Sequence, residues 1–220
     1  MMNILEVKNV NYRYKDAAKD EYVLRDINLN FEPGKSYAIR GKSGSGKTTL
    51  LSLISGLEKK YKGEILYDGK NLAKMNLDRY RNRDIGIVFQ SYNLLPQFTA
   101  QENIILSMDI NNTKGINKKE KAIELMKQVG LDKSLAKRRV LKLSGGEQQR
   151  IAIARSLSYD PKIIIADEPT GNLDKETEGE ILKIFSDLAH KENKCVIIVT
   201  HSPNVCDSVD QVYELKKSNK

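Results

Sequence analysis

The sequence predicts an α/β fold: a core built on a parallel sheet, an N-terminal antiparallel β region and an inserted helical region. Three observations carry this. The stretches "KIIIAD" and "CVIIVTH" are short apolar runs bounded by helical patterns, as expected for parallel strands covered on both faces. The glycine-rich "GKSGSGKT" lies between a strand pattern and a helical one. From about Asn93 to Arg155 helical periodicity takes over from the strand pattern.

Taken in order, residues 3–40 hold "NILEVKNV", "VLRDINLNF" and "KSYAIR", separated by turn residues such as "PGK", and read as antiparallel strands. "GKTTLLSLISGL" reads as a helix, followed by the strand-like "GEILYDG" and "DIGIVFQ". Within the helical stretch "KEKAIELMKQVG" is amphipathic, with Gly130 placed to end it. Then "KIIIAD", "KETEGEILKIFSDLAHKE", "CVIIVTH", a short helix and "QVYEL" alternate strand with helix. No repeat or Pro/Ser-rich linker divides the chain. Residues 1–220 are therefore read as one domain, with the core at 1–90 and 155–220 and the helical subdomain at about 91–154.

The totals narrow the function classes. With 220 residues, 40% of them apolar, the chain can bury a substantial core. Its longest apolar runs, "IIIA" and "VIIV", are far short of a membrane span, and "MMNILEVKNV" lacks the pattern of an export signal. A soluble chain is expected. Cys195 and Cys206 form neither a metal-ligand spacing nor a disulfide framework. The formal charge is +8, and residues 114–142 hold ten Lys or Arg against Glu120, Glu124 and Asp132. No aromatics interleave that block, so a solvated helical face or a membrane-proximal surface is favoured and no specific nucleic acid is expected.

The chemistry begins at residues 41–48, which fit G-x-x-x-x-G-K-[ST] after the strand "SYAI" and mark a P-loop NTPase core. Gly44 and Gly46 let the backbone curl and aim N–H groups at phosphate oxygens, with Gly41, Ser43 and Ser45 in the same nucleotide-binding loop. Lys47 would neutralise the β- and γ-phosphates, the Thr48 hydroxyl would hold Mg²⁺, and Thr49 adds an α-phosphate contact. In "IIIADEPTGNLD" an apolar strand delivers Asp167 to the metal shell, and Glu168 follows, placed to polarise the attacking water. Gln90 and His201 end two further apolar runs, on the edge where α/β sheets bind ligands. Gln90 is expected to sense Mg²⁺ or water, and His201 to donate to a phosphate oxygen or position the water. A second anion-suited helix start, "LSGGEQQR", lies about a hundred residues beyond the first.

These elements in this order resemble the ATP-binding subunit of an ABC transporter, and the resemblance covers essentially the whole chain. It implies a head-to-tail homodimer around two ATP molecules, with Ser144, Gly145 and Gly146 of one chain closing on the nucleotide held by the other. It also implies that Tyr14 stacks on adenine, with Tyr12 the local alternative, and that Asp174 helps join the two sites. "DEPTGNLD" and "FQSYNLLPQFTAQENI" resemble the branch of macrolide-efflux (MacB-like), lipoprotein-release (LolD-like), cell-division (FtsE-like) and antimicrobial-peptide-resistance subunits. That branch implies an integral-membrane permease partner met through residues 91–106, and a place on the cytoplasmic face of the membrane. The alternative is a regulatory, FtsE-like ATPase controlling a wall-remodelling complex without transport. Arg40 departs from the family pattern, which has an apolar or small residue there.

Overall fold

The structure, a computed structural model, describes residues 2–16 and 21–217. Its parallel sheet has five strands in the order β6-β7-β8-β3-β9, formed by Ile85–Val88 (β6), Ile163–Asp167 (β7), Cys195–Thr200 (β8), Ser36–Arg40 (β3) and Gln211–Glu214 (β9). Side chains alternate across it as the pleat requires. Ile163 and Ile165 pack with Leu50, Leu53 and Ile54 of α1 (Lys47–Ile54), while Ile164 and Ala166 pack with Ile151 and Phe185 on the other face. Both faces are covered, so the strands are apolar throughout rather than alternating.

A second, antiparallel sheet runs β2-β1-β4-β5, from Leu24–Phe31 (β2), Leu5–Tyr12 (β1), Lys62–Tyr67 (β4) and Lys70–Asn71 (β5). One expectation is corrected here. The stretch "KSYAIR" is not an antiparallel strand, because β3 lies in the parallel sheet between β8 and β9, with Ser36 opposite Val196 and Tyr37 opposite Gln211. Its residues Tyr37, Ala38 and Ile39 are fully buried, as suits an interior strand rather than an edge strand.

The helices between β6 and β7 are Ala100–Ile110 (α3), Lys118–Gln128 (α4) and Gly145–Ser156 (α5). They share one apolar cluster, including Ile104, Met108, Leu125, Met126 and Ile153, which is continuous with one face of the parallel sheet. Local chemistry sets their ends. Thr99 with Glu102 and Ser144 with Glu147 form reciprocal capping boxes at α3 and α5. Gly130, at φ +77°, follows α4, where its N–H reaches the Lys127 carbonyl. Helices α2 (Leu77–Arg83), α6 (Lys175–His190) and α7 (Pro203–Asp207) complete the core.

Candidate functional site

The carboxyl ends of β3, β6, β7 and β8 lie along one sheet edge, because all four strands run parallel. Loops leaving that edge carry Gly41–Lys47, Gln90, Asp167–Glu168 and His201. The P-loop turns through Gly44 and Gly46 at φ +75° and +93°, a region side-chain-bearing residues adopt only at a cost. A Cβ on Gly46 would also come within 2.7 Å of the Leu24 side chain. Ser45 is buried and its hydroxyl lacks a partner among the described residues. Such an orphan polar group inside a curled loop suits a bound anion. Lys47 Nζ lies across the loop, donating to the Gly41 carbonyl at 2.8 Å. Ser43 and Thr48 are exposed at its rim, and Thr49 is buried.

Asp167 is half-buried at the end of β7. Burial raises its carboxyl pKa, the neighbouring Glu168 adds to this, and Lys47 pulls it back. That pull brings the P-loop lysine and the β7 carboxylate into one electrostatic site. Glu168 stands at φ +45°, a strained backbone position for a non-glycine residue. Its N–H bonds the Val199 carbonyl at 2.9 Å, which pins the strained residue to β8. Its Oε1 lies 2.7 Å from His201 Nδ1, and Oε2 accepts the Thr200 hydroxyl at 3.1 Å. Thr200 was not singled out in the sequence; its only signal there is a polar residue closing an apolar strand. Gln90 sits two residues beyond β6 in an exposed turn, with its amide beside Gly171.

Tyr14 and Tyr12 meet edge to face, their centroids 5.2 Å apart. Tyr12 is buried in the antiparallel sheet's core, whereas Tyr14 is 54% exposed and its hydroxyl shares a hydrogen bond with Thr49 Oγ1. Of the two rings, only Tyr14 presents a free face beside the P-loop.

The second helix start stands elsewhere. Ser144 is exposed at the tip of α5, and no hydrogen bond among the described residues joins it to residues 41–49. Its glycine neighbours serve packing inside the chain. A Cβ on Gly146 would lie 2.6 Å from Thr177 Cγ2 of α6, and one on Gly145 would lie 3.2 Å from the Tyr92 hydroxyl. Asp174 caps α6, accepting from the Thr177 N–H at 2.9 Å and its hydroxyl at 2.8 Å. Arg155, near the other end of α5, donates to the carbonyls of Tyr92 and Asn93, just past Gln90. The starts of α5 and α6 and the turn after Gln90 thus form one braced unit.

The sequence profile described as "ABC transporter" matches residues 24–171. The chain belongs to the ABC transporter ATP-binding family. Its relatives include the ABC transporter ATP-binding protein YclH of Bacillus subtilis, 47% identical over 95% of this chain and 92% of that one. The lipoprotein-releasing system ATP-binding protein LolD of Francisella tularensis is 39% identical over 96% and 93%. The macrolide export protein MacB of Syntrophobacter fumaroxidans is 37% identical over 98% of this chain but 31% of its own length. Among solved structures, the dimeric bacterial ABC transporter cassette MJ0796 superposes with a TM-score of 0.86 at 37% identity, covering 96% of this chain and 94% of that one. Its post-hydrolysis form bound to ADP and Pi gives 0.87 at 35%, covering 98% and 97%. The chain is thus an ABC ATPase. A groove of about 810 Å³ between the helices and the opposite sheet edge is lined by Arg79, Arg83, Ile110, Lys121, Leu125 and Tyr159 among others, and by none of residues 91–106.

Proposed function

We propose that this ABC ATPase drives an exporter of the MacB and LolD type, working as a homodimer that closes on two ATP molecules beneath an integral-membrane permease. The observation that carries this reading is that the capped Ser144 helix start makes no hydrogen bond to residues 41–49 among the described residues, which supports a site completed by a second chain. In a head-to-tail pair, Ser144 and the α5 N–H groups would meet the γ-phosphate held by the other chain's P-loop, with Asp174 alongside.

Within the site, Lys47 neutralises phosphate charge, Glu168 accepts the proton of the attacking water, and His201 holds that carboxylate and the phosphoryl end in line. Thr48, Asp167 and Gln90 would hold Mg²⁺, which when bound would neutralise phosphate charge. Oxygen ligands of this kind suit that ion. Tyr14 would stack on the base. The permease would engage the helical subdomain at residues 91–106 and in the groove beside Arg79 and Tyr159. There a rotation of α3–α5 against the core would be felt directly, placing the ATPase at the cytoplasmic face of the membrane.

The test is reconstitution with the copurifying permease in proteoliposomes. Stimulation of ATP turnover by the permease, lost in Glu168→Gln, supports the reading. Turnover indifferent to any permease, with a wall-remodelling enzyme copurifying instead, would replace it with the regulatory alternative.

A further inference from the structure

Arg40 gains a role once the surface beside the P-loop is considered. A groove of about 710 Å³ there is lined by Arg40, Lys42, His201, Glu214, Lys216 and Lys217, among others. Four basic side chains thus face one carboxylate. Arg40 reaches Glu214 on the neighbouring strand only at 3.9 Å, with both side chains about half exposed or more. On its other side β3 pairs with β8, where Thr200 stands opposite Arg40, one residue before His201. This basic groove therefore borders the reacting edge of the site and is poorly neutralised by the described residues.

The acidic counterpart lies at the start of α6. Asp174 is committed to Thr177, Glu178 accepts from Thr170, Ser202 and Asn204, and Glu180 pairs with Arg150. Glu176 is exposed, and its carboxylate has no partner among the described residues. The Gly146–Thr177 contact clamps this turn to the helix that begins at Ser144. Whatever brings Ser144 onto another chain's P-loop therefore brings Glu176 with it.

We propose that Arg40, with Lys42, receives Glu176 of a second copy of this chain when the ATP dimer closes. This inference rests on the head-to-tail reading above. Two-fold symmetry makes the contact twice per dimer. Arg40 exchanges a loose intrachain carboxylate for one delivered by the second copy, so closure relieves the positive charge beside the phosphates. Complementary charges at such an interface steer association and fix its register.

The experiment uses Glu168→Gln as the parent, with ATP-driven dimerisation followed by analytical ultracentrifugation and ATP binding measured separately. Arg40→Glu and Glu176→Arg should each raise the dimer Kd about tenfold at low salt. The combined charge swap should recover most of the loss, and the differences should shrink in high salt. Arg40→Gln, which adds no carboxylate beside Glu214, should give a smaller loss in the same direction. A swap no better than the product of the two single losses overturns the contact. A parent that stays monomeric with ATP overturns the head-to-tail reading itself and the inference with it.

Discussion

His201 Nδ1 lies 2.7 Å from Glu168 Oε1, and the hydroxyl of Thr200, the residue before His201, donates to the other oxygen of the same carboxylate. The carboxylate is thus oriented from both sides by one strand end. Replacing Glu168 by Gln keeps the shape and removes the proposed base. Turnover should fall by a factor of about 10² to 10⁴, while ATP-bound dimer accumulates in gel filtration. His201→Ala should also slow turnover with nucleotide affinity nearly unchanged in fluorescent-nucleotide titrations. A loss of affinity matching the loss of rate would assign His201 to binding alone.

Ser144→Arg places a bulky cation where the proposed pairing brings the second chain's phosphate, on a residue exposed in the single chain. Hydrolysis should disappear while ATP binding at the P-loop stays within about twofold. Equal loss of both would count against a site shared between chains.

Gly146 is not at a positive φ, so alanine there should favour the helix by about 1 kcal/mol. The 2.6 Å approach to Thr177 Cγ2 opposes that gain; overpacking typically costs about 1–3 kcal/mol. Gly146→Ala should lower Tm. Adding Thr177→Ser removes the methyl group but keeps the hydroxyl that bonds Asp174, and should restore Tm to the parent value or above. Failure of the second change to rescue the first would show that the glycine matters for another reason.

Asp210 ties the end of α6 to β3. Burial raises its carboxyl pKa, but the Ser36 N–H and hydroxyl, both at 2.7 Å, and His190 Nε2 at 2.9 Å outweigh this and hold it below its ordinary value. A depressed folded-state pKa stabilises the protein above the unfolded value and loses that contribution as pH falls through the folded one. Asp210→Asn should therefore lower the urea midpoint at pH 7, and the two proteins should converge below about pH 4. Parallel curves across that range would refute the linkage.

The P-loop and the α5 cap were legible because each is written in consecutive residues: the spacing of Gly41, Gly46 and Lys47, and Ser144 three places before Glu147. The apolar runs of β7 and β8 were legible from burial on both faces. The pairing of β3 was not. Its neighbour Val196 stands 160 positions from Ser36, and a short apolar strand carries no mark of its partner's direction. Helix α2 was missed for a different reason. Seven residues with only Leu77 and Tyr80 buried give too little periodicity, although Asn76 caps it and Asp78 opens it. The Glu168–His201 contact and the Gly146–Thr177 approach were also hidden, since both depend on how separate elements pack.

In the proposed head-to-tail pair, the exposed, capped tip at Ser144 ties turnover to the meeting of two chains. An enzyme whose reacting groups are split between two copies has a rate that grows with the square of its concentration when it is dilute. Newly made chains that have not yet found an assembly would then idle instead of draining the nucleotide pool. Held in pairs by a permease, the same chains would work at full rate whatever their number. Fuel consumption then follows the count of finished machines rather than the count of engines.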